Sequence, residues 1–599
     1  MTEQQSEHFK ETSPEKTVEK LLSILQSFDI ETTEKWREEN HIGTYSLRVK
    51  LKGCGETGTN GKGVSPQYAR ASAYAELFER LQNGILIPSW NKEKNSSFRV
   101  FPDERILSAD DIVEENSPFF KFYVNQLNYV GLSKKEIVKK FQKNHQWDYM
   151  INGKDNEFLC IPYTSCATEK KYNIPVYLMH ALYGSNGMCA GNTVEEALVQ
   201  GISEIIERAV QTRIMREKPC LPDVPSDYME KYPYIYDIFR KLQKFDGCEV
   251  YMKDASFGGK YPVAALVIVE KNTGHFGVKL GCHPDFGIAM ERTLTELTQG
   301  QSPLDYAQHS SVIDFGNAKV ETPSNILNTF MIGRGQYPYQ LLSNTPTYKF
   351  VPAKDVSCLT NKDLLNQWIE ELSVDYDVLI HDVSFLGFPS FHIIIPGLSE
   401  MRKISEAFFR EENTRLYASY LMKNQDQIDQ NNCIYILGAL EASCSIVMMR
   451  AVQSFIPPEQ HINIPFKEYE ADNLYLAAMC YIMKKDYPKA WQKIKTVVSV
   501  VQHYPKTEKN SEDIKRLKAL LCYLQALCYL KDKDNALSYV DKMFDGNVGD
   551  WIFDVFFDEK LIIRKQYYPI DDAQEDERVN NLERIENILH KAMENSRIF

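Results

Sequence analysis

A chain of 599 residues, 43% hydrophobic and 25% charged, exceeds what one hydrophobic core usually organises, so two or more domains are expected. The net charge of −13 disfavours nonspecific nucleic-acid binding while leaving room for a local basic pocket. No apolar run approaches the ~18–20 residues of a membrane span, and thirteen cysteines without a CxxC pair speak against a zinc module and a disulfide framework.

The opening stretch MTEQQSEHFKETSPEK is polar and mixed in charge and does not read as a signal peptide, so residence in the cytoplasm is expected. Residues 8–30 follow as an amphipathic helix with Val18, Leu21, Leu22, Ile24, Leu25 and Phe28 on its apolar side. Lys10 and Thr17 precede or enter it, and by themselves they read as a solvated lysine and a cap residue. Tyr45 to Leu51 alternates as a strand and runs into the glycine-rich Gly53 to Gly63. Such a loop before a helix can cradle an anion, although it also reads as a tight turn, and the Walker spacing is absent.

The next helix, opened by Ser65-Pro66 and stopped by Asn83-Gly84, carries Glu76 and Glu79 on one face with Arg80 beside them. Taken alone, Glu-x-x-Glu-Arg reads as a solvated face with intrahelical pairs. The spacing recurs, however. Gly63, Ala69, Glu76, Glu79 and Arg80 are matched at the same offsets by Gly191, Ala197, Glu204, Glu207 and Arg208. Thr193 with Glu196 gives the second helix a capping-box start. If an internal pseudo-symmetry relates the two helices, four carboxylates converge, and crowded acids repel unless a cation neutralises them. Mg²⁺ bridging carboxylates to nucleotide phosphates answers that need.

Between the two helices, helical patterning is expected around 133–145 and strands near 157–164. Further on, Val263 to Glu270 and Gly274 to Gly281 form a hairpin. The helix after it holds Arg292, suited to a phosphate or equally to an i,i+4 pair with Glu296. His283 offers a general base or a structural histidine. Strand patterns return at 378–380 and 391–396. Beyond about 400 helices dominate, at 400–425, 436–451, 471–502, 512–544 and 578–596. Ala478 to Tyr481 with Ala490, and Ala526 to Tyr529 with Ala536, share a small–aromatic signature of paired helices, and their Cys and Tyr residues read as core.

Ser72, Glu76, Glu79 and Arg80, followed by SNGMCAGNTVEEALVQGISEIIER from Ser185 to Arg208, resemble the YcaO family of ATP-dependent proteins that modify peptide backbones. The resemblance runs in ordered blocks over roughly residues 1–400 and implies an α+β, internally duplicated ATP-binding fold. The helical remainder, 401–599, is expected to be an all-α, tetratricopeptide-like domain. The two-part layout is similar to stand-alone members linked to methylthiolation of a small-subunit ribosomal protein, and the proline-rich tail of azoline-forming members is missing. The resemblance implies Glu76, Glu79, Glu204 and Glu207 as Mg²⁺ ligands. It implies nucleotide contacts from Lys10, Thr17, Arg80, Cys189, Asn192, Glu196, Arg208 and Arg292, with Thr17 and Cys189 standing where the family has Ser. ATP and Mg²⁺ are the implied cofactors. A peptide or ribosomal protein is the implied substrate, a radical methylthiotransferase a partner, and a homodimer the assembly, while no catalytic side chain is identified. Cyclodehydration, thioamide formation and a non-catalytic nucleotide-gated scaffold stand as alternatives.

Overall fold

The structure, a computed structural model, describes residues 9–37, 42–87, 98–147, 156–423, 427–441, 469, 471–545, 548–557 and 572–599. The chain divides into two compact units, one formed by Met1–Val138, Glu157–Ile404 and Asn580–Phe599, the other by Lys139–Asn156 and Ser405–Val579. One boundary, between Ile404 and Ser405, lies near residue 400, but Lys139–Asn156 belongs to the second unit and the last stretch returns to the first. The reason is long-range aromatic packing that local patterning does not reveal. His590 stacks on Phe98 at 4.9 Å and Phe599 lies 5.7 Å from Phe101.

In the first unit every strand pairing among the described residues is antiparallel. β1 (Thr32–Trp36), β2 (Tyr45–Leu51) and β3 (Gly58–Gly63) form one sheet. A second, in the order β4-β5-β12-β13-β7 with β6 beside β5, is built from β4 (Arg105–Ser108), β5 (Glu157–Ser165), β6 (Lys171–Pro175), β7 (Met188–Ala190), β12 (Leu379–Asp382) and β13 (Ser390–Ile394). The third has the order β11-β10-β9-β8, from β8 (Cys248–Asp254), β9 (Val263–Glu270), β10 (His275–Cys282) and β11 (Ser311–Val312). β9 reads as a continuous apolar run because it is buried on both faces. Val263, Ala265 and Val267 enter one core, while Ala264, Leu266 and Ile268 enter the other.

Helix α1 spans Pro14–Ser27, shorter than the expected 8–30, because Ser13 caps the Lys16 N–H and Pro14 opens the first turn. The helix Lys134–Asn144 stands where helical patterning was expected. Much of the glycine-rich run before the first acidic helix is strand β3 rather than an anion-cradling loop. Its glycines serve close approach: a Cβ on Gly61 would stand 2.0 Å from the Ala69 carbonyl oxygen.

Helices α2 (Pro66–Gln82) and α3 (Val194–Glu217) carry the acidic repeats. α2 packs on β2 and β3, and α3 on β7, β13 and β10. The shared glycine–alanine offset has a local cause. A Cβ on Gly63 would meet the Ala69 nitrogen at 2.6 Å, and one on Gly191 the Ala197 nitrogen at 2.7 Å. In both places the helix backbone lies directly against the strand's exit, with Ala69 and Ala197 fully buried. Gly191→Ala should therefore lower stability by roughly 2 kcal/mol or more, read as a fall in melting temperature. An unchanged melting temperature would mean that α3 moves freely away from the strand.

The second unit, as far as it is described, is helical. Asp472–Met483, Tyr487–Val501, Glu508–Leu530 and Lys533–Met543 pack each on the next around Ala478, Cys480, Ala490, Ile494, Leu520 and Tyr523. Residues 442–451 of the expected 436–451 helix lie outside the described residues. The first small–aromatic signature is core, with Cys480 and Tyr481 buried. The second departs from that expectation, since Tyr529 is 81% exposed. Tyr523, Leu524 and Leu527 take the inward face of their helix, and that register turns Tyr529 outward.

Candidate functional site

The face of α3 that runs Glu196, Gln200, Glu204 and Arg208 is an i,i+4 row, with Glu207 beside it, and it gathers residues from across the first unit. At its start, Lys10 Nζ lies 2.9 Å from Glu196 Oε1. Asn192 Nδ2 donates to Glu196 Oε2 at 3.2 Å, and the Thr17 hydroxyl lies 3.0 Å from Asn192 Oδ1. Four residues expected at a nucleotide, drawn from positions 10 to 196, thus meet in one network. The network also revises the capping box: Thr193 accepts the Glu196 N–H at 3.2 Å, but the Glu196 carboxylate turns to Lys10 and Asn192. Burial works to raise the Glu196 pKa, yet Lys10, Asn192 and the Glu11 N–H hold it below the ordinary value.

One to three turns further on, the acids of α2 and α3 come within electrostatic range of one another. Glu204 acts electrostatically on Glu76, Glu79 and Glu207 alike. Burial is the main cause that raises all three, and Glu79 reaches about 8, with Glu204 and Glu76 adding to the rise against Arg80. Two arginines answer part of this crowding. Arg80 lies 3.6 Å from Glu76 and 3.3 Å from Glu79, and Arg208 lies 2.7 Å from Glu204. The Glu204 Oε1 atom is buried and off hydrogen-bond geometry with that arginine. Glu207 accepts the Cys282 N–H at 3.2 Å. Among the described residues no three His, Cys, Asp or Glu side chains close on one point as a metal cage.

Helix α4 (Phe286–Thr298) brings Arg292, which donates to Gln200 at 2.6 Å. The Arg292–Glu296 surface pair is not formed, because Glu296 pairs with Lys62 of β3. Gln299 ties the end of α4 to the Asn60 carbonyl at 2.9 Å. His283 is buried beside Phe9, its Nδ1 accepts the Asp285 N–H at 3.0 Å, and burial with Arg292 and Lys10 nearby keeps it neutral. That is a structural histidine, not a base aimed at a substrate.

Cys189 faces the core. It is fully buried, with its sulfur 3.8 Å from the Phe391 carbonyl and against Gly201 of α3. Cys189→Ser keeps that hydrogen bond, so the substitution should change stability by less than about 1 kcal/mol and leave nucleotide affinity unaltered in a calorimetric titration. A large loss of affinity would show that position 189 reaches the ligand.

Sequence reasoning missed Lys62, Gln200 and Lys279. Gln200 was within reach, since it lies one turn from both Glu196 and Glu204. Lys62 and Lys279 come from β3 and β10, strands of separate sheets that meet the acids only through the tertiary fold, and no local spacing marks them.

A family model described as YcaO cyclodehydratase, ATP- and Mg²⁺-binding, matches residues 60–399. An uncharacterised protein of Haemophilus influenzae is 31% identical over 417 residues, 69% of each chain. The Escherichia coli protein named ribosomal protein S12 methylthiotransferase accessory factor YcaO is 31% identical over 366 residues, so the match covers only 60% of that relative's length. Among solved structures, YcaO from Methanopyrus kandleri bound with AMPPCP and Mg²⁺ aligns with 67% of this chain and 94% of its own, at 16% identity and a TM-score of 0.39. A heterocyclase in complex with substrate and cofactor aligns with 65% of this chain and 53% of its own, at 18% identity and a TM-score of 0.44.

Proposed function

This chain belongs to the YcaO family, and from that premise we propose that it binds ATP with Mg²⁺ between α2 and α3 to support post-translational modification of a peptide or protein. The observation that supports the reading is that Glu204 of α3 acts on Glu76 and Glu79 of α2 and on Glu207, with those three pushed up mainly by burial. The donor set fits the ion. Carboxylate oxygens are hard ligands, and Glu204 Oε1 is buried without a hydrogen bond. Mg²⁺ commonly takes one or two carboxylates and leaves its other positions to phosphates and water, so an open arrangement suits it better than a closed cage.

In this reading the four glutamates hold the metal, and Lys10, Thr17, Asn192, Glu196 and Arg292 position the nucleotide. Arg80 and Arg208, now on their glutamates, would be available to phosphate oxygens, and Cys189 supports α3 from behind. The bound metal–nucleotide supplies a phosphoryl group that makes an amide oxygen a leaving group, the chemistry that family resemblance implies. The chain's own contribution is alignment and charge neutralisation, which is most of what phosphoryl transfer asks of a protein.

The finer assignment is an accessory factor for β-methylthiolation of a small-subunit ribosomal protein, working in the cytoplasm with a radical methylthiotransferase and as a homodimer. The accessory role and its methylthiotransferase partner are supported by the name of the E. coli relative; the cytoplasm and the homodimer are carried over from the family resemblance. The two strand–helix units that hold the acids are taken as copies of one ancestral unit, supported by their matched glycine–alanine contacts, and the helical unit as tetratricopeptide-like. Calorimetric titration with MgATP, followed by phosphate release in the presence of the ribosomal protein and its methylthiotransferase, tests the whole. Binding without turnover would make the protein a nucleotide-gated scaffold, and absence of binding would remove the reading.

A further inference from the structure

The cations around the acid cluster fall into two kinds. Lys10, Lys62, Arg80 and Arg208 each face a carboxylate. Arg292, Lys279 and Arg334 instead give their hydrogen bonds to neutral acceptors: Gln200 at 2.6 Å, the Gly333 carbonyl at 3.1 Å and Gln301 at 2.6 Å. Among the described residues none of these three forms an ion pair. All three are half-buried and give their hydrogen bonds to neutral groups, which leaves their donors and charge open to an anion. The nucleotide reading accounts for Arg292. Nothing so far uses the other two.

Lys279 and Arg334 belong to one rigid corner. Lys279 projects from β10 over the Tyr306 ring, 4.5 Å from its centroid. The Tyr306 hydroxyl lies 2.9 Å from the Val278 carbonyl and 3.3 Å from that of Gly333, which ties the strand bearing Lys279 to the turn bearing Arg334. Gly333 takes φ +64°, and a Cβ there would stand 2.8 Å from the Lys279 ammonium. Burial, with Lys62 and Arg334 close by, pushes Lys279 down to about 7, and Glu207 pulls the other way. The corner thus gathers an ammonium and a guanidinium that make no direct ion pair among the described residues, next to the acid cluster through Glu207, and an anion bound there would favour the charged form of Lys279.

We propose that Lys279 and Arg334 form an oxyanion subsite beside the acid cluster, distinct from the groups that hold the nucleotide. This inference rests on the nucleotide reading for the neighbour it serves. The ligand is a small oxyanion, from one of two sources: phosphate leaving after transfer, or a carboxylate of the peptide substrate. Guanidinium and ammonium donors side by side suit either.

Inorganic phosphate titrated into the full-length protein, alone and with saturating MgADP, tests the subsite, with acetate as the carboxylate probe. Lys279→Met and Arg334→Gln should each weaken phosphate binding about tenfold or more, while MgADP affinity stays within about twofold. Lys279→Arg should restore most of the phosphate affinity, which guards against a merely structural loss. Acetate binding as tightly as phosphate, with the same dependence on the two residues, would support the subsite and assign it to a substrate carboxylate. Phosphate that fails to bind, or binds equally to both variants, would overturn it. Phosphate binding that depends on Lys279 and Arg334 in a protein that ignores MgADP would uphold the subsite and sink the nucleotide reading instead.

Discussion

Glu207→Gln should weaken MgATP binding by roughly 100-fold, or about 2.7 kcal/mol, whereas Glu195→Gln on the same helix should stay within about twofold. The contrast follows from position. Glu207 lies in the half-buried cluster with Arg292, Lys62 and Glu204 acting on it, and it accepts the Cys282 N–H at 3.2 Å. Glutamine retains a carbonyl oxygen for that N–H, so the fold survives while the charge offered to a metal is lost. Glu195 stands in the first turn of α3, away from the row formed by Glu196, Gln200 and Glu204. Titration calorimetry on both variants gives the answer, and equal losses would remove the proposed metal position.

The second large effect is on stability. Burial, with Glu204 and Glu76 adding to it, pushes Glu79 up to about 8 from an ordinary 4.5. Between those values the native state binds a proton that the unfolded state releases, so stability falls as pH rises through the window. Other groups act as well. His145 and His392, held near 3 by burial, make stability rise with pH up to about 6.5, and Lys62, lowered to about 8, makes it rise again above that value. Comparison with Glu79→Gln isolates the one carboxylate. Without nucleotide, the variant should match the native protein near pH 5 and melt on the order of 5 °C higher at pH 8. Saturating MgATP should reverse the order at pH 8. A difference that does not vary with pH would mean that Glu79 is not forced toward its neutral form.

Much of this site was legible because its chemistry lies on helices. Capping residues located α2 and α3, and fixed offsets along each helix placed Glu76 with Glu79 and Glu204 with Glu207 on shared faces. The hairpin of β9 and β10 was legible for a similar reason, since an apolar run, a turn around Asn272 and a second run lie next to each other in sequence. What stayed hidden depends on contacts between distant segments. Lys62 meets Glu296 only because β3 packs near α4, and Arg292 turns to Gln200 rather than to the partner one turn along its own helix. The return of Asn580–Phe599 to the first unit is of the same kind. Tyr529 shows the converse error, where a repeated string suggested a repeated environment and the helix register placed the ring in solvent.

In the proposed site the arginines beside the acids would set the order of events. Arg80 and Arg208 already occupy carboxylates that a metal would take, so a free divalent ion must compete with two tethered counter-charges and gains little by entering alone. A polyphosphate arriving with its ion changes the contest, because it offers each displaced guanidinium a new anionic partner. Filling of the cleft should then follow the supply of the charged nucleotide–metal pair and remain nearly indifferent to the resting level of the ion.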